Sequence, residues 1–251
     1  MSSLSATFSF LYHQIQNQPF QNKEKVMYIH LIFASFFFGT QASTILCKTT
    51  TTRKEAHDLT RVEWSIFANA YKVLGIPDKN TGLSYLDIAS NTHSKYAFQA
   101  HGSAQFIAYH RKFMLDFEIK LQSIDSRAFI PYWDWSQESA NPGASSIWQY
   151  LGHSNGVGRC LKDGLFKDIV YAYSTFSNKA RSSDGKGYCL SRNWQAGSLF
   201  SPQMLGSFFT AAKNDYAAFE LSLELVHGNV HIMNGCDMAS MVKNDNELSK
   251  I

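Results

Sequence analysis

The chain has 251 residues, 45% of them hydrophobic and 14% aromatic, which is enough apolar material for one sizeable core and excludes a disordered or fibrous chain. Its 23 Lys and Arg against 20 Asp and Glu leave a formal charge of +3. That excess is spread along the chain without a basic run, so nothing in it argues for nucleic acid or an anionic membrane surface as a partner.

Residues 29–39 form an apolar stretch behind Lys23 and Lys25, and Thr40-Gln41-Ala42-Ser43 offers small residues for cleavage after Ala42. This pattern predicts a leader, 1–42, that includes a signal peptide, with Met27 as an alternative start. The stretch is shorter than the about 20 apolar residues of a comfortable membrane span, and His30 interrupts it. A secreted protein without stable membrane association is expected, with a single-pass anchor as the alternative. The Thr-rich residues 43–52 read as a linker. Beyond the leader stand Cys47, Cys160, Cys189 and Cys236, an even count that permits two disulfides and three connectivities in an oxidising compartment. Cys160 with Cys189 is the favoured bridge, because both lie in an irregular middle segment where a staple helps most. No Asn-x-Ser/Thr glycosylation signal occurs.

The folded part opens with Asp58-Leu59-Thr60, capping side chains ahead of Trp64, Phe67, Ala68, Tyr71 and Leu74, whose spacing of three or four makes one helix face. That helix should end near Gly75-Ile76-Pro77. A second helix is expected over 103–121, with Phe106, Ile107, Met114, Phe117 and Leu121 inward and Arg111, Lys112 and Lys120 toward water. A third is expected over 202–233, with a possible break at Gly206. Between the last two, 130–199 reads as a long, partly irregular connection with little regular strand. The predicted class is mainly α, without internal repeats.

Five of the nine histidines fall in two groups, His93, His101 and His110, then His227 and His231. Neutral imidazole is the commonest metal ligand and suits copper. His227 and His231 are four apart, so on a helix their rings share a face one turn apart. Such a pair alone is more often two ordinary histidines than a site. His101 and His110 are nine apart, roughly 900° of rotation on one continuous helix, which puts them on opposite faces. They share a metal only if a helix starts between them, and Gly102-Ser103 supplies that break with Ser103 as the expected cap. Without its neighbours, His93 reads as a polar loop residue. His13, His30, His57 and His153 match no grouping and are read as non-ligands.

Segment 100–118, with His101-Gly102 at its start, Tyr109-His110-Arg111 at its centre and Glu118 at its end, resembles the first copper motif of the tyrosinase and catechol oxidase family. Ile130-Pro131-Tyr132-Trp133-Asp134-Trp135 is similar to the family's aromatic signature. Phe219, Leu223, Glu224, His227 and His231, followed by Gly235 and Met238, are similar to the start of its second copper motif. Arg53-Lys54-Glu55 with Asp58-Leu59-Thr60 is like the family's first domain helix. The match runs over about 53–241, leaving 242–251 as a divergent tail.

The resemblance implies a helical-bundle core of the type-3 copper kind, shared by tyrosinases and haemocyanins, with long irregular connections and two coppers that bind dioxygen between them. It assigns His93, His101 and His110 to the first copper, and His227 and His231 to the second. The implied activity is oxidation of phenols or catechols to quinones, with a phenolic small molecule and dioxygen as partners. Arg111 and Glu118, on one helix face, are candidates for fixing its orientation; Asp134 for orienting a ligand or capping a turn; Glu224 for accepting a ring N–H. Tyr132, Trp133 and Trp135 are expected to be core.

The sequence departs from the pattern in several places. No histidine follows His231, so the third ligand of the second copper and the last core helix are missing from this reading, which predicts an impaired enzyme. Gln99 stands where some relatives carry a cysteine cross-linked to the second ligand, and Cys236 where the family shows glycine. Cys236 is expected to pair with Cys47 or to stay free. Gly228 after His227 favours diphenol chemistry. Dioxygen carriage of the haemocyanin type and an inactive copy are the competing readings.

Overall fold

A computed structural model of the protein describes residues 50–153, 156, 159–172, 187–194 and 198–239. Backbone contacts divide the chain into Met1–Thr50 and Thr51–Ile251, and everything below concerns the second unit. The expected leader and the whole of the tail lie outside the described residues, as do Cys47, His13 and His30.

The architecture is mainly helical, as the sequence predicts. Seven helices are described: α1 Arg61–Leu74, α2 Tyr85–Lys95, α3 Ala97–Ala100, α4 Phe106–Ile124, α5 Trp148–Leu151, α6 Pro202–Ala211 and α7 Tyr216–Asn234. The regular strand among the described residues is a two-residue antiparallel ladder, β1 Val170–Tyr171 against β2 Tyr188–Cys189. Cys160 and Cys189 are bridged, tying the long connection to itself. Cys236 is a buried free thiol.

Helix α1 starts at a capping box in which Thr60 and Glu63 bond each other's backbone N–H. It buries Trp64, Ala68, Ala70 and Leu74 and stops at Gly75. Helix α4 lies against it. Leu121, fully buried, joins Ala68, Leu74, Leu86, Ile130 and Phe166 in the main core, while Trp64, Ile147 and Trp148 form a second cluster with Trp133 and Trp194 packed on it. The other flank of α4 meets α7.

Four expectations need correction. Helix α4 begins at Phe106, three residues later than predicted, because Gly102 turns the chain at φ +63 and Ser103 Oγ donates back to the Gln99 carbonyl at 2.9 Å instead of capping the new helix. The expected third helix is two, and its break lies at 212–215. Gly206 stays helical, while Asn214 takes the left-handed conformation at φ 69 and Asp215 caps Ala218 N–H. Residues 53–55 are extended, with Tyr132 donating to the Lys54 carbonyl and Ala56 to that of Tyr132, so the first helix starts only at Arg61. Tyr132 is exposed, since it stands on that outer strip and not in the core.

Candidate metal centre

His93 sits in the last turn of α2, a helix the loop reading of this residue did not anticipate. Ser84 and Asp87 form its capping box and are themselves buried, and Leu86, Ala89 and His93 then follow at helical spacing. His101 follows α3 in extended conformation, φ −125 and ψ 152. His110 lies one turn into α4, and His227 and His231 lie on α7.

These elements bring the first three imidazoles together. One ring nitrogen from each of His93, His101 and His110 lies within 4.8 Å of the other two, and this is the one such group of three or more metal-binding side chains among the described residues. The Nε2 atoms of His93 and His110 are 3.3 Å apart. Metal–nitrogen bonds of about 2.0 Å at a tetrahedral angle place two nitrogens about 3.3 Å apart, so the spacing fits a shared ion. His227 and His231 form a separate pair, Nε2 to Nε2 3.0 Å. The pair turns toward the first cluster, with the ring centroid of His227 5.1 Å from that of His110 and 6.2 Å from that of His101.

Backbone carbonyls set the tautomers. A carbonyl only accepts, so Nδ1 of His101 carries a proton toward Ala97 O (2.9 Å), and Nδ1 of His110 one toward Phe106 O (2.8 Å). His231 Nδ1 donates likewise to Met238 O at 3.1 Å. Each Nε2 is then left as the acceptor nitrogen, that of His110 facing His93 Nε2 at 3.3 Å and that of His231 facing His227 Nε2 at 3.0 Å, the orientation a metal ligand needs. Nε2 of His101 is buried with no partner of its own, the kind of orphaned acceptor that a bound cation would satisfy. Burial, then the neighbouring imidazoles, lowers His93 to about 4 and His227 to about 3, and burial also lowers His110 and His231. Burial therefore favours neutral imidazole at His93, His110, His227 and His231, a donor chemistry that suits copper.

Phe106, read in the sequence only as an inward residue, is 3% exposed, its ring centroid 4.4 Å from that of His110, 5.2 Å from His227 and 5.7 Å from His101. A pocket of about 440 Å³ opens on the His227 and His231 side, lined also by Trp135, Leu205, Phe209, Val230 and Met238. Trp135 thus faces the histidine pair, where the sequence suggested core.

The remaining candidates act elsewhere. Glu118 is buried, bonding Arg53 Nε at 2.8 Å and Ile130 N–H at 3.0 Å, while Arg111 is exposed. Asp134 stands at the start of the turn after it without capping its backbone; its carboxylate accepts from Ser136 Oγ at 2.6 Å. Glu224 accepts no ring N–H; both its oxygens take the backbone N–H of Gly102, at 2.9 and 2.8 Å. His57 lies between Glu55 and Glu138, and His153 pairs with Asp163, both apart from the five clustered rings.

Comparison with known proteins agrees with this geometry. Residues 77–246 match the family described as the common central domain of tyrosinase. A tyrosinase-like protein, phomQ2, of Diaporthe leptostromiformis is 27% identical over 228 residues, 82% of this chain and 56% of that one. The tyrosinase of Streptomyces antibioticus is 35% identical over 134 residues, 49% of this chain and 45% of its own length. A polyphenol oxidase structure from Thermothelomyces thermophila superposes with a TM-score of 0.51 at 20% identity, covering 75% of this chain and 64% of that one, a likeness of fold. The chain spans about half the length of the curated relatives it matches.

Proposed function

The chain belongs to the tyrosinase family, and on that premise we propose that its unit 53–241 is a copper oxidoreductase site that oxidises phenols or catechols with dioxygen. The observation that carries the reading is the convergence of His93, His101 and His110 within 4.8 Å, faced by a second imidazole pair. His93, His101 and His110 would hold one copper through ring nitrogens, and His227 and His231 would hold a second. A copper pair held there would supply one-electron exchange with dioxygen, and two catechols oxidised to quinones would release the four electrons and four protons that convert one dioxygen into two waters.

The protein's own part is positioning. Carbonyls of Ala97, Phe106 and Met238 hold three of the rings with Nε2 inward, and Phe106 excludes water between the groups. The pocket beside His227 and His231 is apolar apart from those rings and Asn234, and of a size for a small aromatic ring with room to enter and leave. Gly228 puts no side chain beside His227 to take a proton from a monophenol, which favours catechols. The Cys160–Cys189 bridge favours an oxidising, extracytoplasmic setting. No helix among the described residues is long and apolar enough to cross a membrane.

The group of three metal-binding side chains among the described residues is His93, His101 and His110, so a relative that holds copper there alone, inactive or weakly active, is the alternative reading. Copper stoichiometry by mass spectrometry, with catechol oxidation measured on the same sample, separates the readings. We expect one tightly held copper, a second held weakly, and low oxidation. No copper retained at the first cluster would overturn the proposal; reversible dioxygen binding without turnover would favour a carrier.

A further inference from the structure

The turn that presents His101 is tied locally by the His101 N–H to Ala97 O and by the Ser103 hydroxyl to Gln99 O, both at 2.9 Å, but the Gly102 N–H between them has no local partner. Gly102 stands at φ +63, and a Cβ placed there would meet nothing within 4 Å, so packing does not hold it. The residue before α4, Gln105, makes no side-chain capping bond. The partner of the Gly102 N–H comes from α7, over a hundred residues away. Glu224 takes the Gly102 N–H with both carboxylate oxygens, at 2.9 and 2.8 Å, and the Tyr216 hydroxyl donates to the Ala104 carbonyl at 2.9 Å.

We propose that Glu224, assisted by Tyr216, is the positioning residue of the first metal cluster, a clamp through which helix α7 fixes the turn carrying His101. A carboxylate accepting a backbone N–H makes a charge-assisted bond, roughly twice as strong as a neutral one. The His101 backbone N–H and ring Nδ1 are both held by Ala97 O, and the clamp holds the next N–H along, that of Gly102. A coordinating group must be held to about 0.5 Å, closer than a lone glycine turn holds it. Glu224 lies three residues before His227, so one helix both carries the second pair and sets the turn of His101, whose ring centroid lies 6.2 Å from that of His227. The clamp thereby fixes the separation of the two groups. Glu220, buried one turn before Glu224, is raised by burial and then by the Glu224 charge.

This inference rests on the copper reading, and its test has an arm that does not. In the first arm the full chain is titrated with Cu(II) alone, followed by the nitrogen hyperfine pattern in electron paramagnetic resonance. Glu224→Ala should weaken the tight site about tenfold to a hundredfold, the range for losing a group that orients a ligand, and alter the nitrogen pattern. Glu224→Gln keeps a carbonyl acceptor and should recover most of the affinity. Ser222→Ala removes a hydrogen bond to Ala218 O on the same helix, away from the turn, and should leave binding unchanged.

The second arm is amide exchange on metal-free protein. The Gly102 amide should be protected in the wild type and in Glu224→Gln, and lose that protection in Glu224→Ala. Unchanged affinity and spectrum in Glu224→Ala, equal weakening by Ser222→Ala, or a Gly102 amide that exchanges freely in the wild type would each overturn the clamp. Failure of the wild type to take up copper would overturn the metal reading alone and leave the exchange arm to decide this one.

Discussion

Three carbonyls decide which nitrogen His101, His110 and His231 offer, and burial holds His110 and His231 below the usual imidazole range. The first consequence is separable from folding. His101→Ala should remove the tight copper from the first cluster while changing the unfolding free energy of the metal-free chain by less than about 1.5 kcal/mol, since an orphaned buried acceptor contributes little to stability. A variant that keeps tight copper would remove that histidine from the ligand set. The second consequence is a pH dependence. His93 moves from 6.5 to about 4 on folding and His227 from 6.5 to about 3. Below 6.5 the unfolded chain takes up protons that the folded chain refuses, so metal-free stability is full above that pH and falls as pH drops toward 4. Urea midpoints at pH 7.5 and 5 measure it, and a higher midpoint at 5 contradicts the assignment of these rings as buried and neutral.

Helix α4 owes its placement to both ends of its chemistry. At its middle Glu118 answers Arg53 and the Ile130 N–H from inside the core. Glu118→Ala leaves that donor unpaired and should cost about 2–3 kcal/mol, visible as a lowered thermal midpoint with the His cluster otherwise intact; a loss below about 0.5 kcal/mol would mean the pair is only decorative. Helix α7 is different. It buries Val226 and Met233 yet leaves Leu221 56% and Leu225 57% exposed. Leu225→Gln should therefore change the stability of this chain by no more than about 0.5 kcal/mol while raising its solubility. A larger loss, read by urea unfolding, would show that this face is covered. Two element-level features were present in the sequence and went unread. Ser84 with Asp87 is a capping signature that announces α2, and Asn214-Asp215 is a better helix break than Gly206 because asparagine tolerates positive φ and aspartate caps the next start.

At the scale of the molecule, α4 is shared. One flank packs into the core with α1, and the other meets α7 at the histidines, so core and site are braced by the same rod. The long connection is held by Cys160–Cys189, which closes a loop of sequence separation 29. In the chain-entropy account a loop of that size is worth about 3–4 kcal/mol, and reduction should lower the thermal midpoint accordingly without moving the His rings, which lie on other elements. Equal midpoints for oxidised and reduced protein would show that the segment is held by packing alone. Cys236 belongs to this scale too. It follows Gly235 at φ 71 and itself takes φ 50, a backbone conformation in which glycine is at ease and a side chain is strained by about 1–2 kcal/mol, which gives the glycine expected there a physical reason.

Periodicity and spacing by themselves determined the mainly helical class, the capped start of α1, the inward face of α4 and the grouping of the five histidines, because each depends on residues within a turn or two of one another. The Cys160–Cys189 pairing was also legible, from the irregularity of the segment that holds both. Only the tertiary structure decided the rest. That His93 comes from a helix, that Phe106 sits among three rings and that Trp135 faces the histidine pair are consequences of packing between elements distant in sequence. Glu224 shows the limit most clearly. Its distance of three from His227 suggested a ring partner, but its actual partner is the N–H of Gly102, 122 residues earlier, and no local pattern encodes a contact made across two helices.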